Sequence, residues 1–100
     1  MTSLPIVEYR DFYDVPRLVL IEVDQRLVLL DNPFDDGLDD YSPDYDVYEL
    51  ERDPRYPATR DWRSLSSEGR HLGTVPVGSI TFDPTRRQSL RSAALTSLLG

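Results

Sequence analysis

The fifteen residues Arg17–Asp31, RLVLIEVDQRLVLLD, constrain the fold more than any other stretch of the chain. Two β-favouring runs, 17–23 and 26–31, flank Asp24-Gln25, which is the pattern of a hairpin. No glycine supplies a positive φ between them, so the connection is either a tight two-residue turn or a four-residue loop with a bulge. Side chains alternate across a strand. Leu18 and Leu20 therefore share one face, and Val19, Ile21 and Val23 the other, with Leu27 and Leu29 set against Val28 and Leu30. A hairpin wetted on one side would alternate apolar with polar residues; this one must be covered on both.

The rest of the chain has to supply those covers. A C-terminal helix over 84–99 is the first candidate: Asp83 caps it, Pro84 takes its first position, and Leu90, Ala94 and Leu98 make a stripe widened by Leu95 and Leu99, opposite Arg87 and Arg91. Before it, TVPVGSITFD predicts a strand from about 74 to 83 with Val75, Val77, Ile80 and Phe82 inward. The parity change at Gly78-Ser79 marks a β-bulge or a break between two short strands, and Pro76 places the first half at a sheet edge. Residues 1–16 keep no period, so they are expected to form an irregular arm with a short strand near 5–9, laying Tyr9, Phe12 and Tyr13 on the core. The stretch 52–73 is loop-like, with Trp62 and Leu65 suggesting one helical turn. The expected fold is α+β and mainly β: one domain, with a small antiparallel sheet of four or five strands curled toward a barrel or roll and a C-terminal helix on one face.

Charge is concentrated between these parts. The segment 31–53 carries ten carboxylates against Arg52 alone, a formal charge of −9, whereas 1–30 sums to −2 and 54–100 to +4. It opens with a helix-start signal, Asn32 as cap and Pro33 at the first position, followed by Asp35 and Asp36. A helical turn over 33–41 would put Phe34, Leu38 and Tyr41 on an inward face and Asp35, Asp36, Asp39 and Asp40 outside. Gly37 and the like-charge pairs Asp35/Asp39 and Asp36/Asp40 oppose it, and Pro43 ends it. Val47 and the tyrosines then favour a strand at 45–51, with Tyr45, Val47 and Glu49 on one face and Tyr48 and Leu50 on the other.

Several chemistries are disfavoured on residue type. The chain has no cysteine and no lysine, which removes thiolate, disulfide and Schiff-base chemistry. The sole histidine, His71, sits in a Gly- and Ser-rich stretch with Ser66 and Ser67 nearby but no G-x-S-x-G elbow. Setting Gly37 at the sixth position of a calcium-binding EF-hand loop puts Phe34 and Pro43 where oxygen ligands are required. No metal or cofactor is therefore expected. Arg86, Arg87 and Arg91 form a possible basic patch, but a net charge of −7 repels phosphate, so neither nucleic acid nor an anionic membrane is expected as a partner. No stretch reaches the length of a membrane span and the N-terminus lacks a signal-peptide pattern, so a soluble cytoplasmic protein is expected.

What remains is recognition of protein. Carboxylates interleaved with aromatics suit a basic, proline- or arginine-bearing partner, and Asp35, Asp36, Asp39, Asp40, Tyr41 and Tyr45 are the candidate binding residues. The same surface could act as an acidic decoy in a nucleic-acid-binding site, or meet the arginine patch of a second copy in a salt-sensitive homo-oligomer. The competing class is a small hydrolase or lyase using a carboxylate with His71.

Overall fold

The computed structural model describes residues 3–13, 15–50, 69–83 and 89–99. Its elements are β1 (Leu4–Tyr13), β2 (Val15–Val23), β3 (Arg26–Asp31), β4 (Phe34–Asp35), β5 (Asp40–Tyr41), β6 (Asp44–Leu50), β7 (Arg70–Pro76), β8 (Thr81–Phe82), β9 (Ser89–Arg91) and α1 (Ala93–Leu99). Seven strands form one antiparallel sheet in the order β7-β6-β3-β2-β1-β9-β8, and β4 and β5 make a separate two-stranded ribbon. The mainly β class with one C-terminal helix stands, with a larger sheet than the four or five strands expected.

The β2–β3 hairpin lies at the centre of this order. Val23 pairs with Arg26, so the connection is the two-residue turn, with Asp24 and Gln25 at φ 49° and 66° despite the lack of glycine. Both faces are buried, as the double apolar pattern requires. Val19, Ile21, Val28 and Leu30 join Leu4, Tyr45, Val47, Val75, Ile80, Leu90 and Leu95 in one core cluster; Leu18, Leu20, Leu29 and Leu50 form a second on the opposite face.

The sheet must bend. Seven strands laid flat would hold their outer members about 29 Å apart. The chain passes from edge strand β7 to the opposite edge strand β8 between Pro76 and Thr81, a connection that reaches at most about 18 Å even if extended. Part of it is a 3₁₀ turn, Val77–Ser79, which shortens it further. The larger cluster, containing side chains from both ends of the sheet, is thus the inside of an open roll.

Four expectations need correction. Residues 1–16 are not an irregular arm: β1 runs for ten residues. Its period is broken by a bulge at Val7, since Ile6 pairs with Ile21 and Glu8 with Leu20, which sends Ile6 and Tyr9 to the roll interior and Val7 to the other cluster. Second, residues 89–91 of the expected long helix are strand β9, paired with both β1 and β8. The helix begins only at Ala93, where Ser92, fully buried, caps it by accepting the Leu95 N–H on Oγ at 3.1 Å. Within α1 only Leu95 is buried and Ala94 is exposed, so the helix packs on the larger cluster through a shorter stripe than expected, on the Val19/Ile21 side of the hairpin. Third, β7 starts at Arg70, which places His71 on a strand rather than in a loop. Fourth, the helical turn over 33–41 is the β4–β5 ribbon. The strand expected at about 45–51 is β6, and the break at Gly78-Ser79 is found as expected, whereas Glu51, Trp62, Leu65, Ser66 and Ser67 lie outside the described residues.

Candidate functional site: the acidic ribbon

The ribbon is the far end of the β3–β6 hairpin, cut off from it by two prolines. Pro33 and Pro43 have no N–H to give to a ladder, so pairing lapses beyond Asp31↔Asp46 and resumes at Phe34↔Tyr41 and Asp35↔Asp40. Asn32 fills the gap. Its Nδ2 donates to the carbonyls of Ser42 at 2.7 Å and Asp44 at 2.8 Å, its Oδ1 accepts from Arg17 Nη1 at 2.6 Å, and its backbone N–H donates to the Arg17 carbonyl at 2.8 Å. The Ser42 N–H completes the joint by donating to Pro33 O at 2.9 Å. Asn32 is buried, so its own amide and backbone groups depend on these bonds for partners.

Aspartates close the tip by turn chemistry rather than by a helix. The Asp35 carboxylate accepts the Gly37 N–H at 2.9 Å, and the Leu38 and Asp39 N–H groups donate to the carbonyls of Asp35 and Asp36 at 3.1 and 3.3 Å. Asp39 takes φ 51°. Such local side-chain and turn bonds are what short polar residues offer in competition with helical pairing.

Two faces result. Phe34 and Tyr41, opposite one another, meet edge to face with ring centroids 5.4 Å apart, and the Arg17 guanidinium lies 3.9 Å over the Tyr41 ring. Asp35 and Asp40, the next pair along, project from the other face. Phe34 and Leu38, expected in the core, are 52% and 59% exposed. Asp35, Asp36, Asp39 and Asp40 are all exposed, and among the described residues no ion pair engages them.

Of the candidate binding residues, the ribbon therefore gathers Asp35, Asp36, Asp39, Asp40 and Tyr41. Tyr45 is excluded: it is wholly buried in the roll, its hydroxyl donating to the Pro16 carbonyl, and burial holds its phenol far above the usual range. Arg91 is exposed on β9, whereas Arg86 and Arg87 lie outside the described residues.

Beneath the ribbon the carboxylates continue. Asp31 and Asp46 face each other across β3 and β6, and burial, with Asp46 beside it, raises the Asp31 pKa. His71 lies 3.2 Å from Asp46 through Nε2 and packs its ring against Tyr48 at 5.1 Å. A histidine held by a carboxylate is half of an acid–base relay. Burial, Asp46 and Asp31 all push the phenol of Tyr48, beside it, above its usual range. No group of three or more potential metal ligands occurs among the described residues, and no helix among them is long and apolar enough to cross a membrane.

Asn32, Arg17 and the exposed Phe34 and Leu38 were not legible as site residues from the sequence. A signal was present, since Asn32-Pro33 and Ser42-Pro43 bracket the ribbon symmetrically, but Asn-Pro is also how a helix begins. Compared with known protein families, curated proteins and solved structures, the chain matches no family model, no protein and no structure.

Proposed function

We propose that the protein is a small cytoplasmic interaction module that binds a basic protein partner through the acidic ribbon. The observation that carries this reading is the exposure of two large apolar side chains, Phe34 and Leu38, on a braced ribbon that also bears four exposed aspartates. A hydrophobic contact ringed by charge of one sign is the material of a selective, electrostatically steered interface. Asn32 and Arg17 support it further by fixing the ribbon before any partner arrives, which lowers the ordering cost of association.

The test is capture of partners by the wild-type chain and by a variant in which Asp35, Asp36, Asp39 and Asp40 are all changed to Asn, with folding of both verified by circular dichroism. Partners held by the wild type at low salt, released by high salt and absent from the variant support the module. Equal capture by the two chains removes it. A captured nucleic-acid-binding protein whose site is competed by DNA would narrow the reading to an acidic decoy. Salt-reversible dimerisation in sedimentation, abolished by Arg91→Ala, would make a second copy of the chain the partner.

A further inference from the structure

The six residues between Phe34 and Tyr41 are four aspartates, Gly37 and Leu38; Asp35 and Asp40 project away from Phe34, but exposed Leu38 stands in the turn between Asp36 and Asp39, so an occupant that covers it comes close to exposed carboxylates. A purely apolar partner would desolvate those charges without compensation. The occupant must therefore carry positive charge next to apolar groups.

Arginine and lysine both supply the charge, but they differ at an aromatic surface. A guanidinium is planar, weakly hydrated and stacks on rings, whereas an ammonium is a compact, strongly hydrated point charge. The aromatic face of this ribbon already holds one guanidinium, that of Arg17 at 3.9 Å from the Tyr41 centroid. Phe34 stands on the same face, turned 88° to Tyr41, with about half its surface in solvent. We propose that the Phe34–Leu38 surface receives an arginine-bearing segment, one guanidinium stacking on Phe34 and an adjacent apolar side chain covering Leu38, so that Phe34 selects arginine over lysine. The proposal rests on the ribbon being a docking surface and adds the chemistry of what docks there.

The experiment titrates the full chain with two capped peptides, one repeating Arg-Leu-Ala and the other identical but for lysine at every arginine, at low ionic strength and followed by calorimetry. The wild type is expected to bind the arginine peptide about two- to fivefold more tightly. In Phe34→Leu, which keeps the apolar surface but removes the ring, that preference is expected to vanish while the lysine peptide binds as before. Phe34 is exposed, so this change leaves the fold in place. Equal affinities in the wild type, or a preference that survives in Phe34→Leu, overturn the arginine selectivity and leave the docking surface standing. Failure of both peptides to bind overturns the docking surface as well.

Discussion

Asp31 and Asp46 stand directly opposite each other on neighbouring strands, two carboxylates in register in the body of the sheet. Like charges so placed oppose folding, by roughly 0.2–1 kcal/mol. The raised pKa of Asp31 gives the effect a pH signature: its folded pKa lies above the unfolded value near 3.8, so the folded state gains from protonation and loses that gain as pH rises through the folded pKa. Asp31→Asn is expected to raise stability at pH 7 and to lose its advantage as pH falls through the folded pKa, wholly so below the unfolded value. Urea denaturation of both chains across pH 3–7 measures the difference.

Asn32 should be the least replaceable polar residue among those described. Asn32→Ala removes the donor to the Ser42 and Asp44 carbonyls and one acceptor of Arg17 Nη1, at a cost of about 2–4 kcal/mol. Asn32→Asp turns a donor into an acceptor facing two carbonyls and is expected to be at least as damaging. Hydrogen exchange offers a finer readout, because loss of the joint should speed exchange at the Ser42 amide before the β2–β3 hairpin is affected.

Gly73 allows α1 to dock. It holds φ 152°, and a Cβ there would stand 2.9 Å from Leu98 Cδ1. Gly73→Ala strains a backbone conformation that L residues rarely adopt and obliges the Leu98 side-chain end to shift, and a loss of about 1–3 kcal/mol, mostly from the strain, is expected in thermal denaturation. Leu98→Ala should cost less in the Gly73→Ala chain than in the wild type, because there it also relieves the contact.

Glu49 bridges two arginines of unequal importance. Arg26 Nη1 lies 3.0 Å from Glu49 and its Nη2 donates to the Leu99 carbonyl at 2.9 Å, tying the end of α1 to the sheet; Arg70 lies 3.1 Å from Glu49 but its side chain is 73% exposed. Arg70→Ala is expected to change stability by less than about 0.5 kcal/mol. Arg26→Ala should cost more, about 1–2 kcal/mol, because it also strips a helix-terminal carbonyl of its donor. Denaturant midpoints of the two variants decide the order.

How much of this was legible follows from where the signals lie. The hairpin was readable because Leu18, Val19, Leu20 and Ile21 leave no polar face, a pattern with few solutions. The strand at 44–50 was readable because Val47 and its neighbouring tyrosines favour extended backbone. β1 was hidden by its bulge at Val7, which mimics aperiodicity in a linear reading. The ribbon was hidden by an ambiguity of another kind: Phe34, Leu38 and Tyr41 have helical spacing, and the tertiary bonds of Asn32 to Ser42, Asp44 and Arg17, with the local turn bonds of Asp35, decide against it. At the C-terminus, Leu90 fits a helical stripe as well as a strand, and its pairing with Leu4, distant in sequence, settles the matter.

The most direct test of the acidic ribbon as the docking surface is a map of backbone amide shifts as a capped arginine-rich peptide is titrated into the isotope-labelled chain at low salt. The expected result is that the largest shifts fall within residues 34–41, saturate with peptide and collapse at high salt. Saturating shifts centred elsewhere, for example on β7 around His71, with the ribbon amides unmoved, would contradict it.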